Sequence, residues 1–398
     1  MNILKKAYSR VFQTAFRIAI PILPYREPIS YSRTIETLVF LRDRRVKDVL
    51  LVTDAHIRQA GLTRKLEDEL KNNGINCTVY DGTRPNPTVK NVEEALKLYK
   101  DNGCQALIAF GGGSPMDCAK AVGARVAYPK KQLYDMKGIL KVLRKTPPLI
   151  AIPTTAGTGS EVTVSAVITD DEKHYKYTMN NFTLIPDCAV HDATVTYTLP
   201  PSLTATTGMD ALTHAVEAFI GRSTTKKTRK LSMDAAKLII SNIERAYSDP
   251  TDHEARAAML KAAYMAGMAF SVSYVGYIHA VAHSLGGQYN IPHGLANSVL
   301  LPKVLEDMGE AIYEKLKKLA VFAGIADITD TPEAAAKKFI AKIKLLNSVL
   351  GIPDRLEGIR KEDIPLMAKH ADKEANPLYP VPVLMDAKEL EKYYYMVM

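Results

Sequence analysis

No run of about eighteen uninterrupted apolar residues occurs anywhere in the chain, so a membrane-spanning helix is not expected. The four cysteines, Cys77, Cys104, Cys118 and Cys188, form no CxxC pair and no dense framework. That excludes a zinc knuckle or a disulfide scaffold and reads as buried thiols in a reducing compartment, the cytoplasm. There is no internal repeat and no low-complexity tract, and 47% hydrophobic with 24% charged residues leaves the disordered and fibrous classes out. Acid is scarce in two places. Residues 1–35 hold Lys5, Lys6, Arg10, Arg17, Arg26 and Arg33 against Glu27 alone, and residues 222–230 hold Arg222, Lys226, Lys227, Arg229 and Lys230 with no acid at all. These two segments account for the net charge of +9, and the rest of the chain is close to neutral. With no broad basic face and no aromatic-interleaved motif, a nucleic-acid partner is not expected.

What is present is enough for two domains: 398 residues is two to three times the common domain size. Residues 1–22 form a basic amphipathic arm. Leu4, Tyr8, Val11, Phe12, Ala15, Phe16 and Ala19 recur at helical spacing among Lys5, Lys6, Arg10, Gln13, Thr14 and Arg17, and Pro21 and Pro24 end the pattern. Arg10, Gln13 and Arg17 interrupt the apolar stretch that a secretory signal needs. The arm reads as a helix docked on its own domain or on a sister subunit, or as an address for a membrane surface or a protein shell. It is also similar in composition to an organellar transit peptide.

From about residue 46 short apolar runs alternate with amphipathic helices: VKDVLLVTD, INCTVYDG, QALIAFGGG and TPPLIAIPTT are expected strands. Such alternation implies a parallel sheet flanked by helices. EVTVSAVITDD and KHYKYTM carry the period-2 pattern of a strand pair. After Leu199 the chain turns to Ala-, Leu- and Met-rich helical segments, with the break at Pro200 and Pro201. Residues 23–199 are therefore expected to form an α/β dinucleotide-binding domain, and residues 200–398 an all-helical domain.

Ligands of an open α/β sheet bind beyond the carboxyl ends of its strands. The first such end carries Asp54, a carboxylate able to accept from an adenosine ribose while repelling a 2′-phosphate, which favours NAD over NADP. The second is GGGSPMD, where Gly111, Gly112 and Gly113 admit a ligand close to the backbone and Ser114 opens a helix whose amides suit a pyrophosphate. The GxGxxG fingerprint is absent, and a plain tight turn reads equally well from this run alone. The third end adds Thr154, Thr155, Gly157, Thr158 and Gly159, again small or hydroxyl-bearing.

The histidines carry a sharper signal. His279 and His283 lie four apart in HAVAH, His293 follows in NIPHG, and Asp210 and His214 form another four-residue pair in MDALTH. Each one alone reads as an ordinary hydrogen-bonded helix residue. Together they put five polar groups on otherwise apolar helices, a costly arrangement unless a divalent metal gathers them. His56, His174, His191, His253 and His370 have no such companions.

GGGSPMD, IPTTAGTGSEVT, MDALTHAVEAF and HAVAHSLGGQYNIPHGLANSVLLP resemble, in order, the motifs of the iron-containing (group III) alcohol dehydrogenases. The resemblance implies a dehydroquinate synthase-like architecture and a metal held by Asp210, His214, His279 and His293. His283 is then a neighbouring residue of the proton path, and Asp54, Asn86, Gly112, Gly113, Ser114, Asp117, Thr154, Thr155, Thr158 and Lys176 bind NAD. It also implies Fe2+, with Zn2+ possible, and a homodimer. The activity implied is hydride transfer between NAD and small alcohols or diols and their aldehydes or ketones, with Phe270, Tyr274 and Tyr277 lining the substrate pocket. A glycerol-dehydrogenase-like enzyme of the same fold is the alternative, against which HAVAH and IPHG speak. A shell- or membrane-docked binding protein without turnover is the other, against which the retained Asp210 and histidines speak. The chain departs from the family in its arm, in lacking an FGxGA-like turn near PYREPISYS, in Ser284 where Pro is frequent, and in its tyrosine-rich end.

Overall fold

The computed structural model describes every residue except 172–174. His174 and the start of the KHYKYTM segment thus lie outside the described residues. The chain divides into two compact units, one of Pro24–Leu199 and one that joins Met1–Leu23 to Pro200–Met398.

In the first unit, β1 (Ile29–Tyr31), β2 (Asp48–Val52), β3 (Asn76–Tyr80), β4 (Ala106–Gly111), β5 (Gly138–Ile139), β6 (Leu149–Pro153), β7 (Ser165–Asp170), β8 (Tyr175–Asn180) and β9 (Cys188–Val190) make two sheets. Strands β1-β9-β6-β4-β2-β3 lie side by side and pair parallel throughout, whereas β7 pairs antiparallel with β8, which pairs parallel with β5. Every residue of β4 and β6 is buried, as two-sided cover requires. Alternation sends Leu50, Val52, Leu107, Ala109 and Ala151 into one core and Val49, Leu51, Ile108, Phe110, Ile150 and Ile152 into the other.

The helices are α1 (Ile3–Ala19), then α2 (Thr37–Asp43), α3 (Ala55–Gln59), α4 (Arg64–Asn72), α5 (Val89–Asp101) and α6 (Gly113–Ala127) around the parallel sheet. The helical unit follows with α7 (Pro201–Ile220), α8 (Lys226–Ser248), α9 (His253–Ser273), α10 (Tyr277–Tyr289), α11 (His293–Met308), α12 (Tyr313–Phe322), α13 (Pro332–Val349), α14 (Ile364–Ala375) and α15 (Ala387–Val397). Pro201 stands at the first position of α7, where its missing N–H costs nothing. An α/β part with a flanked parallel sheet followed by a helical part is the expected fold class.

The strand pair is β7 and β8, but it starts later than EVTV, because Ser160–Val162 is a short 3-10 turn. Strands β1, β5 and β9 carry three residues or fewer, too short for any periodicity. The tyrosine-rich end is α15, with Tyr393 and Tyr394 buried. Ser284 keeps α10 continuous, its Oγ donating to the Val281 carbonyl (2.8 Å) and meeting the Tyr394 hydroxyl (2.6 Å). Among the described residues no single helix is long and apolar enough to cross a membrane.

Candidate metal centre and nucleotide cradle

Three helices of the helical unit bring the metal candidates together. Helix α7 carries Asp210 and His214 one turn apart, α10 carries His279, and α11 opens on His293. One donor atom from each lies within 4.8 Å of all the others. The Asp210 carboxylate is the hub: its Oδ1 is 3.7 Å from His279 Nε2 and 3.5 Å from His293 Nε2. The rings of His214 and His279 stack at 4.3 Å, and Phe270 covers the other face of His214 at 4.2 Å.

Backbone packing sets this register. A Cβ on Gly294 would sit 2.5 Å from the Thr206 carbonyl oxygen, so only glycine lets the start of α11 lie directly on α7.

The ligand candidates are themselves held. Glu217 Oε2 accepts from His279 Nδ1 (2.6 Å) and from the Gly276 N–H (2.9 Å), and its Oε1 accepts from the Ile278 N–H (2.8 Å). With Nδ1 donating to Glu217, His279 turns Nε2 toward Asp210. That nitrogen is buried without a hydrogen-bond partner, and 3.7 Å is too long for one. The separation does suit two ligands of one cation, which lie roughly 3–4 Å apart. A donor set of three imidazoles and a carboxylate, all buried but for the half-exposed His293, therefore fits a divalent metal on its own geometry.

Asn297, one turn into α11, donates from Nδ2 to Asp210 Oδ1 (2.7 Å) and approaches His293 Nε2 (3.0 Å). Burial pushes the Asp210 carboxyl up, but His214, His293 and His279 outweigh it and hold the group far below the usual carboxylate range. For His293 burial dominates and keeps the imidazole neutral, the form that ligates a metal. At His279 burial opposes the charged ring, yet Asp210 and Glu217 prevail and raise it to about 9.

His283, one turn beyond His279, stacks on His293 at 5.0 Å. Its Nδ1 donates to Glu374 Oε1 (2.6 Å), which also accepts from the Tyr379 hydroxyl (2.7 Å). Burial raises the Glu374 carboxyl, but His283 and the two hydrogen bonds bring it below its ordinary value, so it stays ionised. Of the expected pocket residues, Phe270 lies on His214, and Tyr274 packs against Tyr379 and Phe16. Tyr277 is fully buried, and its hydroxyl links Asn376 to the backbone of Met385.

Glu217, Glu374 and Asn297 escaped the sequence reading. A signal existed for the first: Asp210, His214 and Glu217 follow one face of α7 at i, i+4 and i+7. Glu374 comes from a distant helix and left none.

The cofactor candidates lie in the α/β unit. The chain passes from β2 outward to β3 and then back across β2 to β4, so the strand order reverses between β2 and β4. Ligands of doubly wound sheets bind at such a point. Asp54 follows β2 and caps α3, its Oδ1 accepting from the Ile57 N–H (2.9 Å). Gly112 and Gly113 follow β4, with Thr155 and Thr158 packed against them: a Cβ on Gly113 would lie 2.9 Å from Thr158 Cγ2. The Thr154 N–H donates to the Gly111 carbonyl (3.0 Å), and the Asn86 N–H donates to Ser114 Oγ (3.2 Å). Glycine backbone at the amino end of α6, with the hydroxyls of Ser114, Thr155 and Thr158 beside it, suits a pyrophosphate.

Asp117 stands further along α6, half-buried, accepting from Ser160 Oγ (2.9 Å) and the Val167 N–H (3.0 Å), and loss of solvent raises its carboxyl. It anchors the segment after β6. Lys176 lies on β8 opposite Thr169, whose N–H donates to the Pro87 carbonyl (2.8 Å) beside Asn86. Burial lowers its ammonium below the ordinary lysine value.

Comparison with known proteins covers both units of the chain. A sequence profile described as iron-containing alcohol dehydrogenase matches residues 32–193, and one for the C-terminal part of the Fe-containing alcohol dehydrogenase family matches residues 204–397. The chain belongs to the iron-containing alcohol dehydrogenase family. The 1,3-propanediol dehydrogenase of Klebsiella pneumoniae is 39% identical over 335 residues, covering 83% of this chain and 86% of the relative. An NAD-dependent methanol dehydrogenase of Bacillus methanolicus is 36% identical, covering 82% and 86%. The crystal structure of a 1,3-propanediol oxidoreductase superposes with a TM-score of 0.90 at 35% identity, covering 93% of this chain and 98% of that one. The α1 arm precedes the first profile match, and the tail that supplies Glu374 and Tyr379 lies within the second.

Proposed function

We propose that this protein interconverts small alcohols or diols and the corresponding aldehydes or ketones, with NAD as hydride carrier and a divalent metal at Asp210, His214, His279 and His293. The observation that carries this reading is the convergence of those four donor atoms within 4.8 Å on buried helix faces. Three imidazoles and one carboxylate suit Fe2+ and Zn2+ alike, and the family favours iron.

Such a cation supplies Lewis acidity, making an alcohol proton easier to lose and a carbonyl easier to reduce, while the nicotinamide accepts or returns the hydride. The chain's own part is to hold and move the proton. Because His283 Nδ1 donates to the ionised Glu374, its Nε2 is left as the acceptor for a hydroxyl proton. Glu374 stabilises the imidazolium that results, and Tyr379 fixes Glu374. Phe270 shields the His214 ring and keeps that side of the centre apolar.

Removing metal with a chelator is expected to abolish alcohol-dependent NADH formation, and Fe2+ or Zn2+ is expected to restore it. Metal-loaded protein that binds NAD but turns over nothing in a chain-length series of alcohols, diols and aldehydes would sink the reading.

NAD rather than NADP is inferred from the carboxylate at Asp54 and from the Bacillus relative named as NAD-dependent. Asp54→Asn keeps an N-cap acceptor for α3 while removing the charge. It is expected to shift the ratio of kcat/KM for NADP over NAD upward by about tenfold, given a nearby phosphate repelled by about 1 kcal/mol or more. An unchanged ratio takes the ribose role away from Asp54. A homodimer in the cytoplasm completes the reading. The open edge at β1, where Ile29 and Ser30 are exposed, and the free cysteines support it.

A further inference from the structure

Helix α1 is docked the wrong way round. An amphipathic helix on a soluble body ordinarily turns its apolar stripe inward. Here the buried residues are Ser9 and Gln13, while Leu4 (82% exposed), Val11 (69%) and Ile18 (73%) stand in solvent along with Ile3, Tyr8 and Ile22. Leu4, Tyr8, Val11, Ala15 and Ile18 form one continuous ridge at i, i+4, i+7, i+11 and i+14, and Ile22 stands exposed in the 3-10 turn just beyond the helix.

The polar face is held by specific bonds. Gln13 Nε2 donates to the Tyr379 carbonyl (2.7 Å), and Arg10 donates to the carbonyls of Val381 (2.7 Å) and Pro382 (2.7 Å). Lys5 pairs with Asp372 at 2.7 Å, and Phe16 sets its ring edge-on to Tyr274 at 5.1 Å. The helix is thus clamped by its hydrophilic side, and its apolar side is left outward.

The second basic segment comes to the same place. Ser223 Oγ donates to the Gln13 carbonyl (3.4 Å), which brings the start of this segment against α1. Lys315 of α12 donates to the carbonyls of Ile220 (2.6 Å) and Gly221 (2.7 Å), immediately before Arg222. Burial, and then the charges of Arg222, Arg229, Arg17 and Lys318, bring the Lys315 ammonium down to about 8, so these cations crowd one another. Arg17 of the first surplus and Arg222 and Arg229 of the second, distant in sequence, therefore share one cationic field with Lys315 and Lys318 beside the apolar ridge.

We propose that this surface docks the enzyme onto a bilayer rich in anionic phospholipid, with the α1 ridge entering the headgroup–acyl boundary and the cations meeting the lipid phosphates. The sign of the charge selects this occupant over a second copy of the chain. No acid occurs before Glu27, so two α1 ridges laid together would bring the exposed Lys6 and Arg17 of each copy close to their own kind with no acid on either helix to answer them. The proposal is independent of the catalytic reading, since none of the ridge residues belongs to the metal centre or the nucleotide cradle.

The test is co-sedimentation of the full chain with phosphatidylcholine vesicles, with and without about one-third phosphatidylglycerol. The protein is expected to sediment with the anionic vesicles and to stay in solution with the zwitterionic ones. Raising salt from about 0.1 M to about 1 M is expected to release it, because the screening length falls to about 3 Å. The triple variant Leu4→Ser, Val11→Ser, Ile18→Ser alters only exposed side chains. It is expected to bind anionic vesicles at least about tenfold more weakly, with the circular dichroism, the sedimentation mass and the alcohol turnover of the parent. Absence of binding to either vesicle, or undiminished binding by the triple variant, overturns the proposal. So does a lower assembly mass in the triple variant without vesicle binding, which assigns the ridge to a second copy.

Discussion

Asp210→Ala is expected to lower kcat/KM for alcohol-dependent NADH formation by about three powers of ten, and to leave the purified protein largely free of metal. Lewis-acid stabilisation is worth several kcal/mol, and about 1.4 kcal/mol is a decade in rate. Asp210 is the one carboxylate in the cluster of four, and its Oδ1 is the atom that both His279 and His293 approach. Without it the site offers three imidazoles and no negative charge. The shape-preserving Asp210→Asn retains an acceptor for Asn297 Nδ2, so its unfolding midpoint is expected to stay close to that of the parent while metal and turnover fall. Metal content measured on the same samples as the kinetics decides the matter: a metal-replete Asp210→Ala with parental kcat/KM removes the carboxylate from the centre.

Glu217→Gln is expected to weaken metal binding by about 10–100-fold and to lower stability by about 2 kcal/mol. Three donors converge on the two Glu217 oxygens: the His279 ring and the amides of Gly276 and Ile278. A carboxamide has only one acceptor oxygen, and its NH2 group must then face at least one of those donors in a buried place. The ring loses the partner that turns Nε2 toward Asp210, and the start of α10 loses its anchor. Chelator competition reads the first effect and a urea midpoint the second. Parental values in both would reduce Glu217 to a bystander.

Much of this molecule is legible in its sequence because the signals there are local. The parallel strands β2, β4 and β6 are continuous apolar runs ending in glycine, threonine or aspartate, and the helical boundary is marked by Pro200 and Pro201. Asp210 with His214, and His279 with His283, announce themselves by four-residue spacing. What stays hidden depends on tertiary contact. Glu374 reaches His283 across 91 residues, and Asn297 looks like any helix residue until α11 is laid against α7. Tyr277 opens the ligand helix α10, and nothing in the sequence around it shows that its hydroxyl serves as a strut for Asn376 and Met385, about a hundred residues away. The arm misleads in a more instructive way. Periodicity reveals that α1 is amphipathic, and the ordinary expectation puts the apolar side inward. Only the backbone carbonyls at Tyr379, Val381 and Pro382 show that the polar side is the one held.

At Gly294 the main chain of α11 rests on the main chain of α7 at the Thr206 carbonyl, and that seam registers His293 against Asp210 and His214. Phe270 and Tyr274, by contrast, meet His214, Phe16 and Tyr379 through their rings alone. The two layers can therefore diverge at different speeds. A descendant can exchange either ring by a single substitution and keep the backbone register of the centre, whereas any side chain at position 294 has to push the two helices apart.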